Sequence, residues 1–157
     1  MKIRLIVIGK TEEDYLKRGI SLYLDRIIRY VPFEYIELPA LKNAASLSLA
    51  EQQSREQDIF KKQIRNDETI ILLDETGEQM RSKDFANYLN LRMISGIKSI
   101  TFMVGGPYGF SQYMRKRAGK LISLSRMTFS HQMVRLIFAE QMYRAFTIIR
   151  NEPYHHE

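Results

Sequence analysis

Cysteine is missing from this chain, and its absence removes disulfides, thiolate catalysis and sulfur-ligated zinc together. No apolar run approaches the roughly 18 residues needed to span a bilayer, and residues 1–9 lack the length and the small-residue cleavage site of a secretory signal. A cytoplasmic protein with no membrane partner is the expectation. Histidine is scarce. His131, His155 and His156 stand at no HExxH or other helical metal-pair spacing, so no metal is expected. Phosphate-binding signatures are missing too. There is no GxxxxGK followed by Ser or Thr, and the first apolar segment leads into Gly9-Lys10-Thr11 instead of GxGxxG, which counts against kinase-like and dinucleotide-dependent chemistry.

What is present describes a soluble globular chain. Its 157 residues, 45% apolar and 27% charged, suit one domain spanning 1–157 and favour neither disorder nor a fibre. A formal charge of +6 and a pI near 9.5 point to a polyanionic partner, nucleic acid first, because Lys and Arg displace the counterions condensed on phosphates.

Apolar runs and turn residues alternate along the whole length. Ile3 to Ile8 predicts a buried strand, and Thr11-Glu12-Glu13-Asp14 has the form of a helix-starting capping box. Leu16, Ile20, Tyr23 and Ile27 make one helical stripe that Pro32 ends. Phe33 to Leu38 predicts a second strand. Ser48-Leu49-Ala50-Glu51 repeats the capping-box form before a charged surface helix running to about Arg65.

Thr69 to Leu73 predicts an interior strand stopped by Asp74-Glu75-Thr76-Gly77, and Phe85, Leu89 and Met93 mark a third helix. Ile100 to Val104 and Leu121 to Leu124 complete the strands, with a short helix at Ser111 to Gly119 between them and a long helix from about Ser130. This order predicts an α/β fold, a mainly parallel sheet with helices on both faces.

In such sheets ligands bind beyond the carboxyl ends of strands, so the loops after Leu73, Val104 and Leu124 are the places to look. Gly105-Gly106-Pro107-Tyr108-Gly109 offers positive-φ freedom and close backbone approach around a rigid proline, although a tight connection would look the same. The run from Leu124 to His131 mixes hydroxyls and apolar side chains. It could enclose an aromatic ring, or simply be a linker with Ser130 as helix cap. His131 in a first helical turn should be neutral, because the helix dipole opposes its charge.

The last helix is apolar on more than one face. Val134, Phe138, Met142, Ala145 and Ile149 form a stripe, with Leu136, Ile137, Tyr143 and Phe146 outside it. Such a helix is central in its domain or shared with a second copy, and a homodimer is the expectation. Glu140 and Arg144, at i and i+4, would pair.

Taken together and in order, several segments resemble one family. They are Gly105 to Gly109, Ser123 to Thr128, His131, Arg135, the run Glu140-Gln141-Met142-Tyr143-Arg144-Ala145, and the ending Pro153-Tyr154-His155. They resemble the bacterial SPOUT-class methyltransferases that methylate N3 of a pseudouridine in large-subunit ribosomal RNA. The resemblance covers nearly the whole chain. It implies S-adenosylmethionine as cofactor, rRNA within the ribosome as partner, a homodimer, and a trefoil knot in the C-terminal half that general topology rules would not suggest.

Carried over residue by residue, the family's cofactor contacts fall on Leu73, Gly105, Leu124, Ser125, Arg126, Met127, Thr128 and Phe129, in the three loops named above. The resemblance assigns Arg144 to stabilising or positioning the target base, and Tyr154 and His155 to contacting RNA or moving its proton. Without it the tail reads as a frayed end. Arg135 and His131 are second-line candidates, each also readable as packing or capping. Ser130 departs from the family, where proline commonly precedes the histidine, yet serine as a cap preserves the helix entry. Two other readings stay open: a methyltransferase of the same fold acting on tRNA, and a noncatalytic RNA-binding module.

Overall fold

The computed structural model describes residues 1–154. Among these residues five strands and five α-helices alternate: β1 (Lys2–Ile8), α1 (Asp14–Ile27), β2 (Phe33–Leu38), α2 (Leu49–Lys61), β3 (Thr69–Gln79), α3 (Ser82–Ile94), β4 (Ser99–Val104), α4 (Gln112–Arg117), β5 (Lys120–Ser123) and α5 (His131–Ile149). The strands pair in the order β2-β1-β4-β3-β5, and every pairing is parallel. A parallel sheet covered on both faces needs apolar side chains pointing both ways, which is why its strands are near-continuous apolar runs.

Alternation along the strands divides the core. Leu5, Val7, Ile71, Leu73, Phe102 and Val104 meet Phe85 and Leu89 of α3 and Phe138 and Met142 of α5. Ile6, Ile8, Leu72 and Met103 meet Phe60 of α2 and Met114 of α4 on the opposite face. The fold class expected from the sequence is therefore the one found.

Three local expectations change. Thr11 does not cap α1, whose N-cap is Glu13 without a side-chain bond. Instead Thr11 is buried and donates its N–H (2.8 Å) and its hydroxyl to the Glu37 carboxylate, so a tertiary partner outcompetes the helix terminus. Asp74-Glu75-Thr76-Gly77 does not end β3. The strand runs on to Gln79, and its register against β5 slips between Leu73 and Glu78, both opposite Ile122. Gly77 permits this bulge: a Cβ there would lie 2.5 Å from the Ile122 nitrogen. Finally α2 ends at Lys61, and its charge hides a buried side formed by Gln52, Glu56 and Phe60. The capping box at its start does form: Ser48 Oγ accepts from Glu51 N–H at 3.2 Å and Glu51 Oε2 from Ser48 N–H at 2.8 Å.

The breadth of the apolar surface on α5 has a source within one chain. α5 lies between α1 and α3 and packs against both, burying Phe138, Ala139, Met142, Ala145 and Phe146 and leaving Leu136, Ile137 and Tyr143 half-buried. Gly19 lets α1 come close, since a Cβ there would fall 2.8 Å from Leu136 Cδ1. The central position, one of the two explanations the sequence allowed, accounts for the buried positions of α5. Among the described residues no helix is long and apolar enough to cross a membrane.

Candidate functional site

Beyond the carboxyl ends of β4 and β5, and beside the bulge of β3, lies a cleft of about 400 Å³, walled by the loops after Val104 and after β5, by Leu73 to Glu75 of the bulge and by the first turn of α5. Leu73, Gly105, Leu124, Ser125, Met127, Thr128 and Phe129 all line it. Arg126, expected among them, is exposed and does not. The 124–129 loop is shaped by its own side chains: Ser123 Oγ donates to the Ser125 carbonyl and Met127 N–H to Ser125 Oγ, both at 2.9 Å. Ser130 then caps α5 by accepting from Met133 N–H at 3.1 Å, as its sequence position predicts.

The glycine loop is a tight turn. Gly109 N–H donates to the Gly106 carbonyl at 3.1 Å around Pro107, and of the loop's three glycines only Gly109 adopts a positive φ, 68°. Gly105 and Gly106 serve closeness instead of the left-handed freedom expected of them. A Cβ on Gly105 would stand 3.3 Å from the Gly109 backbone, and one on Gly106 would collide with Glu56.

Charge at the cleft is largely self-cancelled. Arg115 grips Asp74 with Nη2 to Oδ2 at 2.7 Å and Nη1 to Oδ1 at 3.1 Å, while Thr76 gives Oδ1 its N–H and hydroxyl at 3.0 and 2.6 Å. Burial alone would raise the Asp74 pKa, but the Thr76 bonds and the Arg115 charge outweigh it and hold the carboxyl below its ordinary range. This pair joins residues 41 positions apart, and no spacing in the sequence announces it.

His131 lines the cleft, and burial first, then the nearby Arg135 charge, lower its pKa below the usual 6.5. The ring is therefore neutral at pH 7, the state expected from its sequence position, with burial and the Arg135 charge as the causes. Arg135 lies behind the cleft, fully buried. It donates to the carbonyls of Ile8 (2.7 Å), Gly9 (2.9 Å) and His131 (3.2 Å) and to Thr11 Oγ1 (3.1 Å). That pattern makes it a tie between β1 and α5, not a group that meets a ligand.

A second cluster gathers near the other end of α5. Arg144 donates Nε and Nη2 to Glu140 Oε1 at 3.0 and 2.6 Å, and its guanidinium stands 5.0 Å from the Tyr154 ring centroid. Tyr154 donates to the same Glu140 oxygen at 3.2 Å, lies 3.5 Å from the Tyr23 hydroxyl and meets the Tyr143 ring edge-on at 4.6 Å. Burial, Tyr23 and the Glu140 charge push the Tyr154 phenol well above its ordinary value, leaving it a neutral hydrogen-bonding group. Arg26 of α1 adds a second guanidinium, 5.3 Å from the Tyr143 ring centroid. The expected pairing of Glu140 with Arg144 exists, and Glu140 proves to be the hub that also holds Tyr154. His155 lies outside the described residues.

The two clusters do not meet within a chain. Arg144 stands ten residues beyond Val134, the last cleft-lining position of α5, which is about 15 Å at 1.5 Å per helical residue.

Residues 1–155 match the family described as "Predicted SPOUT methyltransferase". The chain is 49% identical over 156 residues to the Ribosomal RNA large subunit methyltransferase H of Christiangramia forsetii, covering 99% of each. It is 50% identical over 157 residues to the protein of that name from Parabacteroides distasonis, covering all of both. Among solved structures it is similar in fold to a probable methylase family protein from Haemophilus influenzae, with TM-score 0.59 and 9% identity over 99% of this chain and 70% of that one. The tRNA (m1G37) methyltransferase of Aquifex aeolicus gives TM-score 0.52 and 16% identity over 100% of this chain and 76% of that one.

Proposed function

The chain belongs to the SPOUT methyltransferase family, and from that membership we propose that it methylates N3 of a pseudouridine in large-subunit rRNA, using S-adenosylmethionine, on the cytoplasmic ribosome and as a homodimer. The observation that carries this reading is the meeting of two strand-end loops and the β3 bulge in one cleft, in a chain collinear with relatives named as large-subunit rRNA methyltransferases. The knot implied by the resemblance belongs to the same proposal.

The residues present suit the cofactor. A cleft of about 400 Å³ lies within the range of small-molecule sites, which pair apolar walls with a few polar groups. Leu73, Leu124, Met127 and Phe129 supply such walls, while the glycine loop and Glu75 supply polar atoms. When bound, the cofactor supplies a methyl group on a positively charged sulfur. The chain's task is to hold the base nitrogen in line with that methyl and keep water out, work that orientation chiefly performs.

The imide N3–H of pseudouridine ionises roughly two units above neutrality, so removing its proton costs about 3 kcal/mol. Arg144 is suited to stabilise the resulting anion. Tyr154, its phenol held neutral and its one proton given to Glu140, is suited to contact the RNA through its ring and hydroxyl oxygen, which leaves proton acceptance to His155 in this scheme. Because Arg144 lies about 15 Å along α5 from the last cleft-lining residue of its own helix, and Tyr154 packs beside it, the proposal places both at the cleft of the partner copy.

The test is to incubate the protein with labelled cofactor and ribosomes lacking the modification, then locate the label by mass spectrometry. Label at N3 of one pseudouridine is the expected result. Label in bulk tRNA would move the protein to a different substrate, and RNA binding without cofactor affinity would make it a noncatalytic module.

A further inference from the structure

The glycine loop is braced from behind by a helix that the mechanism above leaves unused. Gln53, Glu56, Gln57 and Phe60 fall at i, i+3, i+4 and i+7 along α2 and so share one face. All four engage the segment 106–111. Gln53 Nε2 donates to the Tyr108 carbonyl at 2.8 Å, Gly106 N–H donates to Glu56 Oε2 at 3.0 Å, and Ser111 Oγ donates to Gln57 Oε1 at 2.7 Å. The Phe60 and Phe110 rings lie 5.6 Å apart.

Glu56 is the unusual member. It is only 7% exposed, and a buried carboxylate hydrogen-bonded to an uncharged amide is a costly arrangement. It also dictates the residue it touches, since a Cβ on Gly106 would lie 2.1 Å from Glu56 Oε1. The peptide between Gly105 and Gly106 is trans, so directing the Gly106 N–H at α2 turns the Gly105 carbonyl the opposite way. Gly105 lines the cleft, whereas Glu56 does not.

We infer that Glu56 is a positioning residue for the cofactor: from outside the cleft it holds the Gly105–Gly106 peptide in the one orientation that receives the ligand, and it is the reason that residue 106 must be glycine. The inference rests on the cleft being the S-adenosylmethionine site.

A double-mutant cycle read by calorimetry with S-adenosylhomocysteine tests it. Glu56→Ala should weaken binding about tenfold, the scale of one lost hydrogen bond to a charged group, with kcat at saturating cofactor unchanged. Glu56→Gln keeps an acceptor and should bind like the wild type. Gly106→Ala should weaken binding more than Glu56→Ala does, and Gly106→Ala combined with Glu56→Ala should be no weaker than Glu56→Ala alone, because the obstructing carboxylate is gone.

Additive losses, an unaltered affinity in Glu56→Ala, or a fall in kcat with KM unchanged would each overturn the inference. If Glu56→Ala does not fold by circular dichroism, Gln53→Ala takes its place. A loss of about threefold is then expected for one neutral bond, and an unchanged affinity overturns the idea. A wild-type protein that does not bind the ligand removes the underlying cofactor reading, an outcome distinct from a wild type that binds and a cycle that is additive.

Discussion

The two ends of α5 are built on opposite plans. Around His131 and Val134 the cleft is made mostly of backbone and apolar walls, and its strongest charges, Asp74 and Arg115, are spent on each other. Around Arg144 and Tyr154 the surface is made of side chains: two guanidiniums, three tyrosines and the carboxylate of Glu140 that ties Arg144 to Tyr154. The first end can recognise a ligand by shape, whereas the second can place charge and hydrogen bonds against a reacting base. In the proposed reaction each end needs the other, and roughly 15 Å of rigid helix keeps them apart in one chain.

That separation can be broken most directly by mixing damaged chains. Gly105→Val crowds the cleft, where even a Cβ would stand 3.3 Å from the Gly109 backbone, and Arg144→Ala removes the guanidinium paired with Glu140 at the other end. Each variant alone should lose about a hundredfold or more in methyl transfer, the scale for deleting a group that stabilises developing charge. If the ends work across a homodimer, unfolding the two variants together and refolding them should restore about a quarter of the wild-type activity, because half of the dimers are mixed and each has one intact composite site. No recovery above the separate variants would place both halves in one chain.

The next effect is on stability and should be confined to the cleft end. Arg135→Leu deletes four hydrogen bonds and strands the carbonyls of Ile8 and Gly9, so a loss of about 3 kcal/mol or more is expected. Urea denaturation at fixed protein concentration measures it. A loss below about 1 kcal/mol would mean that the tie between β1 and α5 is dispensable.

How much of this was readable beforehand follows the same division. The strands were legible because interior parallel strands must be apolar on both sides, and the cleft was legible because ligands in such sheets gather at strand ends. Misreadings arose where a residue's local meaning lost to a distant partner. Thr11 looks like a cap but bonds Glu37, and Asp74 to Gly77 looks like a turn but continues β3 because Arg115 and Thr76 satisfy Asp74 and Gly77 admits the β5 backbone. Glu56 looks like surface charge because its neighbours on α2 are. Arg144 and Tyr154 were marked only by resemblance: spacing predicted a pair with Glu140, but nothing in the sequence brings Tyr154 to the same oxygen.

A smaller effect separates the entry of α5 from its interior. Ser130 replaces a proline common in the resembling family and caps the helix through Met133 N–H, so Ser130→Ala should cost about 1 kcal/mol. Ser130→Pro should cost less than Ser130→Ala if chain entry alone matters, since the preset φ of proline compensates for the lost acceptor. Thermal unfolding of the two variants ranks them, and the reverse order would show that a proline ring does not suit the entry to α5.

The smallest effect is a pH slope that belongs to the cleft end only. His131 is held below its usual 6.5 by burial and by Arg135, so over the interval between its folded pKa and 6.5 the unfolded chain binds more protons than the folded one. Stability must then fall as pH drops through that interval and level off once the folded ring is also protonated. His131→Gln removes this contribution, and its stability should decline less than that of the wild type between pH 7 and 5. Asp74 does not confuse the comparison, because its depressed pKa places its loss below the ordinary carboxylate range and both proteins share it. Parallel stability curves over that range would show that the His131 ring reaches solvent and is charged as readily in the fold as outside it, and a neutral wall at that side of the cleft would have to be given up.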